Sequence, residues 1–451
     1  MIKKQYCKRI VSLFFYLLIP LMHHTIYSVN VTVTGLVSDP DSLISGPIPI
    51  VITPDGSTAY VGNFFDNSFV IVDTATNTAT GLVSNPNNLF EQVNSIVITP
   101  DGTKAYAANS ADFSVTIINL TTNTATGNVT DPSNIITAPN GLAITPDGTT
   151  AYVADSVTTN TIGIIDIATN TVTGTVSDPF STLNGPFFTA LTPDGLHGYE
   201  SNLFGNTISI FDTTTNTITG IVSDPDSTIN NPSTILITPN GATAYVLNEG
   251  NNTISIIDIA TNTVTGLVSD PDSTFNLFLA AMTPDGSTIL VPNLSNNTVS
   301  IVDVATNAVT GLVSDPDSTF HEPTGVAITP DGTTAYVTND FGNSVSILAI
   351  SSVLPPTNLQ GCKTKNIFLI ELELVNRLTW SPPTSGTPPV RYIIYRNAQL
   401  TDQAGIVFAN GPLIFFDHNR QKDTTYTYYI VSVDALGDVS QPASITVTQP
   451  C

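Results

Sequence analysis

The chain has 451 residues, with 36 acidic side chains against 12 basic ones and a formal net charge of −24. The imbalance is local: residues 29–350 hold 29 Asp or Glu and one basic residue, Lys104, whereas residues 351–451 hold seven of each sign. Such a region is a poor partner for nucleic acid or an anionic membrane, which both need a basic surface. Metal cations, basic proteins and neutral ligands remain open to it.

Residues 1–28 read as a secretory signal peptide. Lys3, Lys4, Lys8 and Arg9 precede an apolar run over residues 10–22, which is short of the roughly 20 residues a membrane helix needs. Cys7 lies before that run, whereas a lipoprotein acceptor would follow it. No later segment is long and apolar enough to span a bilayer. The expectation is an exported protein of the periplasm, the cell surface or the medium.

Residues 29–350 are organised by a repeat. The motif TPDG or TPNG occurs seven times, with prolines at 54, 100, 146, 193, 239, 284 and 330. A period of about 46 residues matches one four-stranded propeller blade. Each unit reads as strand, Pro-Asp-Gly turn, Ala-Tyr-Val strand, loop, β-branched strand, Ala-Thr-Asn-Thr turn and outer strand. The second turn puts Asn77, Asn123, Asn170, Asn216, Asn262 and Asn307 where a left-handed residue is wanted. An Asp before it (Asp73, Asp166, Asp212, Asp258, Asp303) is placed to cap that turn.

The counts predict closure. The first turn occurs seven times and the second six, yet the outer-strand glycine occurs seven times, beginning at Gly35. The extra outer strand is N-terminal, over residues 31–38, and the last unit lacks one. Pairing the two ends makes a seven-bladed β-propeller closed by its N-terminal strand, with no open edge. Tyr336-Val337-Thr338-Asn339, with the turn upstream and Ser344–Leu348 downstream, resembles the YVTN-type β-propeller repeat. That resemblance covers residues 30 to 350 and implies a fold shared by surface-layer proteins, binding proteins and some lactonase-like enzymes.

Residues 351–356 form a linker stiffened by Pro355 and Pro356. Residues 357–451 are similar to an Ig-like, fibronectin type III β-sandwich. Trp380 falls on its B strand, residues 390–396 on C and residues 426–433 on F, with Tyr426 at a tyrosine corner. Cys362 and Cys451 then fall at one end of that module, and a disulfide between them is expected in an exported protein.

Candidate chemistry is sparse. The DPDS elements offer Asp224 with Asp226, Asp270 with Asp272 and Asp315 with Asp317 as weak Ca²⁺ ligands. Asp before Pro is also a common turn starter, and no other cofactor is expected. His321 with Glu322 sits in a crossing loop between units. Phe64, Phe65, Phe113, Phe204 and Phe341 lie in the loops between second and third strands, and Phe188, Phe278 and Phe320 in or beside the crossings. About half of the loop phenylalanines should plug gaps, and any left exposed would make a binding face. The loops are nearly uniform, and no nucleophile elbow, haem-attachment or phosphate-loop motif occurs. The expectation is a non-enzymatic binder of a protein or glycan, with a lactonase-like enzyme or a surface-layer protein as alternatives.

Overall fold

The computed structural model describes residues 29–450, apart from 157–158, 271–274, 276–278, 314, 316, 352, 354–355, 369–370, 384–387, 419, 422–423, 436–438, 441 and 449. The segment 1–28 read as a signal peptide, together with Phe278, Asp272 and Cys451, lies outside the described residues. The fold is all-β. Its one described helical element is a 3-10 turn, Leu294–Asn296, and no described helix is long and apolar enough to cross a membrane.

The first sheet runs in order through Pro47–Ile52, Thr58–Asn63, Ser68–Asp73 and Thr78–Leu82. Five further four-stranded antiparallel sheets follow at the period of the repeat, over residues 93–128, 139–175, 186–221, 232–267 and 281–312. A seventh combines Pro323–Ile328, Thr334–Asn339 and Ser344–Ser351 with the N-terminal strand Asn30–Leu36. Its register runs from Asn30 opposite Ser351 to Leu36 opposite Ser346. The architecture is consistent with a propeller.

Local chemistry explains each turn. In the first unit the Thr53 hydroxyl donates to Asp55 at 2.6 Å and accepts the Thr58 N–H at 3.1 Å, while Gly56 takes φ +74°. The Thr53 hydroxyl is the main cause holding the Asp55 carboxyl below its ordinary pKa. At the second turn Asp73 accepts the Thr76 N–H at 2.7 Å, and Asn77 is left-handed at φ +53°. Both turns repeat these bonds from unit to unit, so the threonines of the motif are the glue of their hairpins.

Sheet-to-sheet packing is equally repetitive. Each turn glycine faces the turn proline of the preceding unit, so a Cβ on Gly102 would lie 3.5 Å from Pro54 and one on Gly56 would lie 3.2 Å from Pro330. The second contact joins the first sheet to the last. The buried tyrosine of each second strand reaches forward to the turn asparagine of the next sheet: Tyr60 to Asn123, Tyr106 to Asn170, Tyr152 to Asn216, Tyr199 to Asn262 and Tyr245 to Asn307, at 2.5 to 2.7 Å. Tyr336 of the seventh sheet bonds Asn77 of the first at 2.5 Å. The sixth sheet carries Leu290 in place of tyrosine, and the seventh has no second turn to receive it. Val61, Val70 and Val72 share a core cluster with Tyr336, Val345 and Ile347, so the first and last sheets pack as neighbours.

Residues 357–447 form two further sheets. One contains Thr357–Phe368, Glu371–Ser381 and Ile414–Asp417; the other runs Gln403–Phe408, Arg391–Tyr395, Tyr426–Val433, Ala443–Val447. Leu378, Trp380, Tyr392, Ile394, Tyr428 and Ile430 form one core, with the Trp380 and Tyr392 rings edge to face at 5.4 Å. Buried Asp417 is held by Arg396 through two hydrogen bonds of 2.9 and 3.0 Å and by the Tyr428 hydroxyl at 2.7 Å. Burial alone would raise its pKa, but these partners win and lower it. Cys362 is disulfide-bonded.

Candidate functional site

The sheets put two sets of loops on opposite edges. On one edge lie the Pro-Asp-Gly and Ala-Thr-Asn-Thr turns. Cavities there recur with the repeat: one of about 570 Å³ touches Pro239, Asp285, Gly286 and Asn307, and one of about 460 Å³ touches Asp55, Gly56, Pro330 and Asp331. The same turn residues build both notches, so they are products of the repeat. Lys104, the lone cation of this region, donates to the Ile167 carbonyl at 3.3 Å beside these turns.

The other edge carries the crossings and the loops between second and third strands. Here the innermost strands of six sheets, with Leu279 and Ala280 just before that of the sixth sheet, line one cavity of about 440 Å³. Its wall is mainly apolar, from Ile48 and Pro49 round to Leu279 and Val326, with Phe64, Phe187 and Phe188 contributing rings. The single ionisable group among its lining residues is Glu249, which is exposed overall. Partial desolvation of its carboxyl raises its pKa, against a hydrogen bond from Ser233. The lining thus supplies one carboxyl and no histidine.

The loop phenylalanines fall into exposed, half-buried and buried sets. Phe65, Phe113, Phe204 and Phe341 are 64%, 59%, 62% and 71% exposed. Phe64 and Phe188 are half-buried at the cavity, and Phe320 is 3% exposed within the core between the sixth and seventh sheets. Phe320 therefore belongs to packing and leaves the candidate face. Phe65 and Phe204 each lie over a crossing glycine, Gly46 and Gly185, where an added Cβ would collide with the ring. His321 is exposed, and Glu322 is half-buried at φ +51°.

The DPDS carboxylates turn inward on their own loops. Asp224 accepts the Ile229 N–H at 2.8 Å, Asp270 the Phe275 N–H at 3.2 Å and Asp315 the Phe320 N–H at 3.1 Å. Asp226 and Asp317 are exposed. No group of three or more His, Cys, Asp or Glu suited to a metal ion occurs among the described residues. These geometries are those of turn starters.

Two features become visible when the units are superposed on their registers. Facing innermost and second-strand residues are apolar in other units, as in Ile50–Val61, Leu142–Val153, Ile235–Val246 and Val326–Val337. The fourth sheet has Thr189 opposite Glu200 instead. Glu200 is fully buried; its Oε2 accepts from Thr189 at 2.5 Å and its Oε1 has no partner. Burial pushes its pKa up to about 8, against hydrogen bonds from Thr189 and the Phe187 backbone. The second feature is Phe113, which stands at a left-handed position, φ +56°, taken by Asn67, Asn160, Asn206, Asn252, Asn297 and Asn343 in the other units. Neither departure follows from motif matching; both show when the units are aligned position by position.

Residues 44–198 match the family model of the SMP-30/gluconolactonase/LRE-like region. The chain is similar to that region over this stretch. Among solved structures it resembles Kuenenia stuttgartiensis hydrazine synthase, with 22% identity, a TM-score of 0.55, 68% of this chain and 96% of that chain covered. At that identity the likeness speaks for the fold alone. No curated protein shows a significant sequence match to this chain.

Proposed function

We propose that this protein is an exported ligand-binding propeller, whose seven sheets are seven blades of one ring and whose crossing-loop face is the binding platform. The observation that carries this is the display of four phenylalanines, Phe65, Phe113, Phe204 and Phe341, each more than half exposed on equivalent loops. Exposed aromatic clusters on one edge mark interaction surfaces. The cavity inside that rim has the shape of a ligand site but only one titratable group, Glu249, where acid–base chemistry ordinarily uses several converging groups. The partner class is a protein or glycan.

The YVTN-type repeat remains the best description of the units. The strand order of the C-terminal sheets, and the Gln421 N–H donated to the Tyr426 hydroxyl at 3.1 Å, support a fibronectin type III-like module that spaces or docks the ring. The bridge between Lys363 and Pro450 supports a pairing of Cys362 with Cys451. The match over residues 44–198 favours a second reading, a lactonase-like enzyme with Glu249 at its site.

The test of the first reading is a triple variant, Phe65→Ser, Phe204→Ser and Phe341→Ser, compared with the wild-type chain on arrays of glycans and extracellular proteins. The reading expects folding to persist and wild-type binding to be lost. Binding that survives the triple change would count against the rim.

A further inference from the structure

At most junctions between neighbouring sheets a side-chain latch spans the crossing-loop face. The left-handed Asn of one unit accepts a backbone N–H from the next crossing: Asn67 from Gln92, Asn160 from Gly185, Asn206 from Asn231, Asn297 from Glu322 and Asn343 from Gly46, at 2.7 to 2.9 Å. The donating residue is itself left-handed, at φ +48° to +67°. The junction between the second and third sheets is built otherwise. Phe113 replaces the Asn, and Ala138, at the donating position, is not left-handed. The Ala138 N–H turns instead to Asp155 of its own unit, which stands where other second strands end in Asn and, as those do, also accepts the N–H of the residue before, here Thr137.

The rewiring leaves a cleft of about 440 Å³ between the two sheets. It is lined by Phe113, Ile136 and Ala138 and by the polar residues Ser110, Asn134, Thr137, Asn140 and Ser156. Asn140 also lines the central cavity, so the cleft borders the mouth of that cavity. Its amide is committed, accepting from Asn94 and donating to Ser156 at 2.6 Å, which fixes the wall. Asn134 is exposed, and among the described residues no side-chain hydrogen bond commits its amide. A bulky residue in a left-handed conformation is unfavourable, and such departures persist where function holds them.

We propose that this cleft binds a neutral saccharide unit, a claim that rests on the reading of this face as a binding platform. The lining offers one aromatic face and uncharged hydrogen-bonding groups, and the volume lies in the usual range for small-ligand sites. A sugar ring presents C–H groups to the Phe113 face and hydroxyls to Asn134, Thr137 and Ser156. An anion finds no cation here, because Lys104 sits among the turns. A cation finds no carboxylate in the lining, and Asp155 behind it is occupied by Thr137 and Ala138.

The experiment is calorimetric titration of the full chain with neutral cello-, malto-, xylo- and chito-oligosaccharides, beside a uronic acid oligomer. The decisive variant is Phe113→Asn, which returns the position to the residue of the other units and is suited to its backbone. The expected result is binding of at least one neutral oligosaccharide with a Kd of about 1 mM or tighter, weakened about tenfold or more in F113N and unchanged in Leu196→Ser, at an exposed turn on the opposite edge. Equal binding by F113N, preference for the acidic oligomer, or no neutral binding at about 10 mM would overturn the cleft assignment. Saccharide binding kept by F113N but lost in the Phe65/Phe204/Phe341→Ser variant overturns the cleft and leaves the rim reading standing.

Discussion

Glu200 is a carboxyl where the equivalent strand positions carry Val or Ala, and it has a direct consequence for stability. Its folded pKa, about 8, lies above its ordinary 4.5. The folded state therefore binds the proton more tightly than the unfolded chain between those values. The stability this contributes is fully present below about pH 4.5 and is lost as pH rises through about 8, with a slope of at most about 1.4 kcal/mol per pH unit. Urea denaturation at pH 5, 7 and 9 should show the midpoint falling. Glu200→Gln should flatten that trend, and the double variant Thr189→Val with Glu200→Val should raise the midpoint at pH 9 by restoring an apolar pair. A midpoint independent of pH in the wild type would contradict the buried, protonated state.

Phe113 makes the opposite argument at the same scale. Relieving its left-handed backbone with Asn should stabilise the protein by roughly 0.5–1 kcal/mol, read as a small rise in Tm. Neither residue announces itself in the sequence by type alone. A glutamate in a strand reads as solvated, and Phe113 reads as one loop phenylalanine among several candidates for a binding face. Only the register, which sets Glu200 against Thr189 and Phe113 in the place of Asn, reveals the departure.

Among elements, the strands and turns were legible because their chemistry is local. The Thr-Pro-Asp-Gly and Ala-Thr-Asn-Thr turns form where expected, and the aspartate at the end of the third strand caps the second turn as read. In the C-terminal unit the strand expected over residues 426–433 runs Tyr426–Val433, while the strand read around Trp380 is longer, Glu371–Ser381. What the sequence hid is the second task of the turn asparagines. Asn77 and its equivalents also accept a hydrogen bond from a tyrosine about 60 residues earlier in the chain, or 259 later across the closure. Such pairing depends on sheet packing, which local pattern does not carry. Each link is expected to contribute about 1 kcal/mol. A double-mutant cycle on Tyr152→Phe and Asn216→Ala should show coupling of that order. Leu290→Tyr should destabilise, because the next sheet has no turn asparagine and the new hydroxyl would be buried unpaired.

For the molecule as a whole, closure was readable from arithmetic: seven first turns, six second turns and an extra outer strand at the N-terminus. The structure pairs that strand with the last sheet and adds two contacts across the same seam, Gly56 on Pro330 and Tyr336 on Asn77. Removing residues 29–38 should expose the edge of Ser344–Ser351 and produce association or a marked loss of thermal stability, checked by light scattering and calorimetry. The ligand was far less legible. A uniform repeat signals architecture, and the informative residues are the few that break it.

The claim that the ring is a binder and not a lactonase is tested most directly by assaying the intact chain for hydrolysis of gluconolactone and related sugar lactones. Proton release would be followed with and without added divalent cations, beside Glu249→Gln. The account predicts a rate equal to spontaneous hydrolysis in every case. Acceleration by the wild-type chain that is lost in E249Q would contradict it and move the function from the aromatic rim into the central cavity.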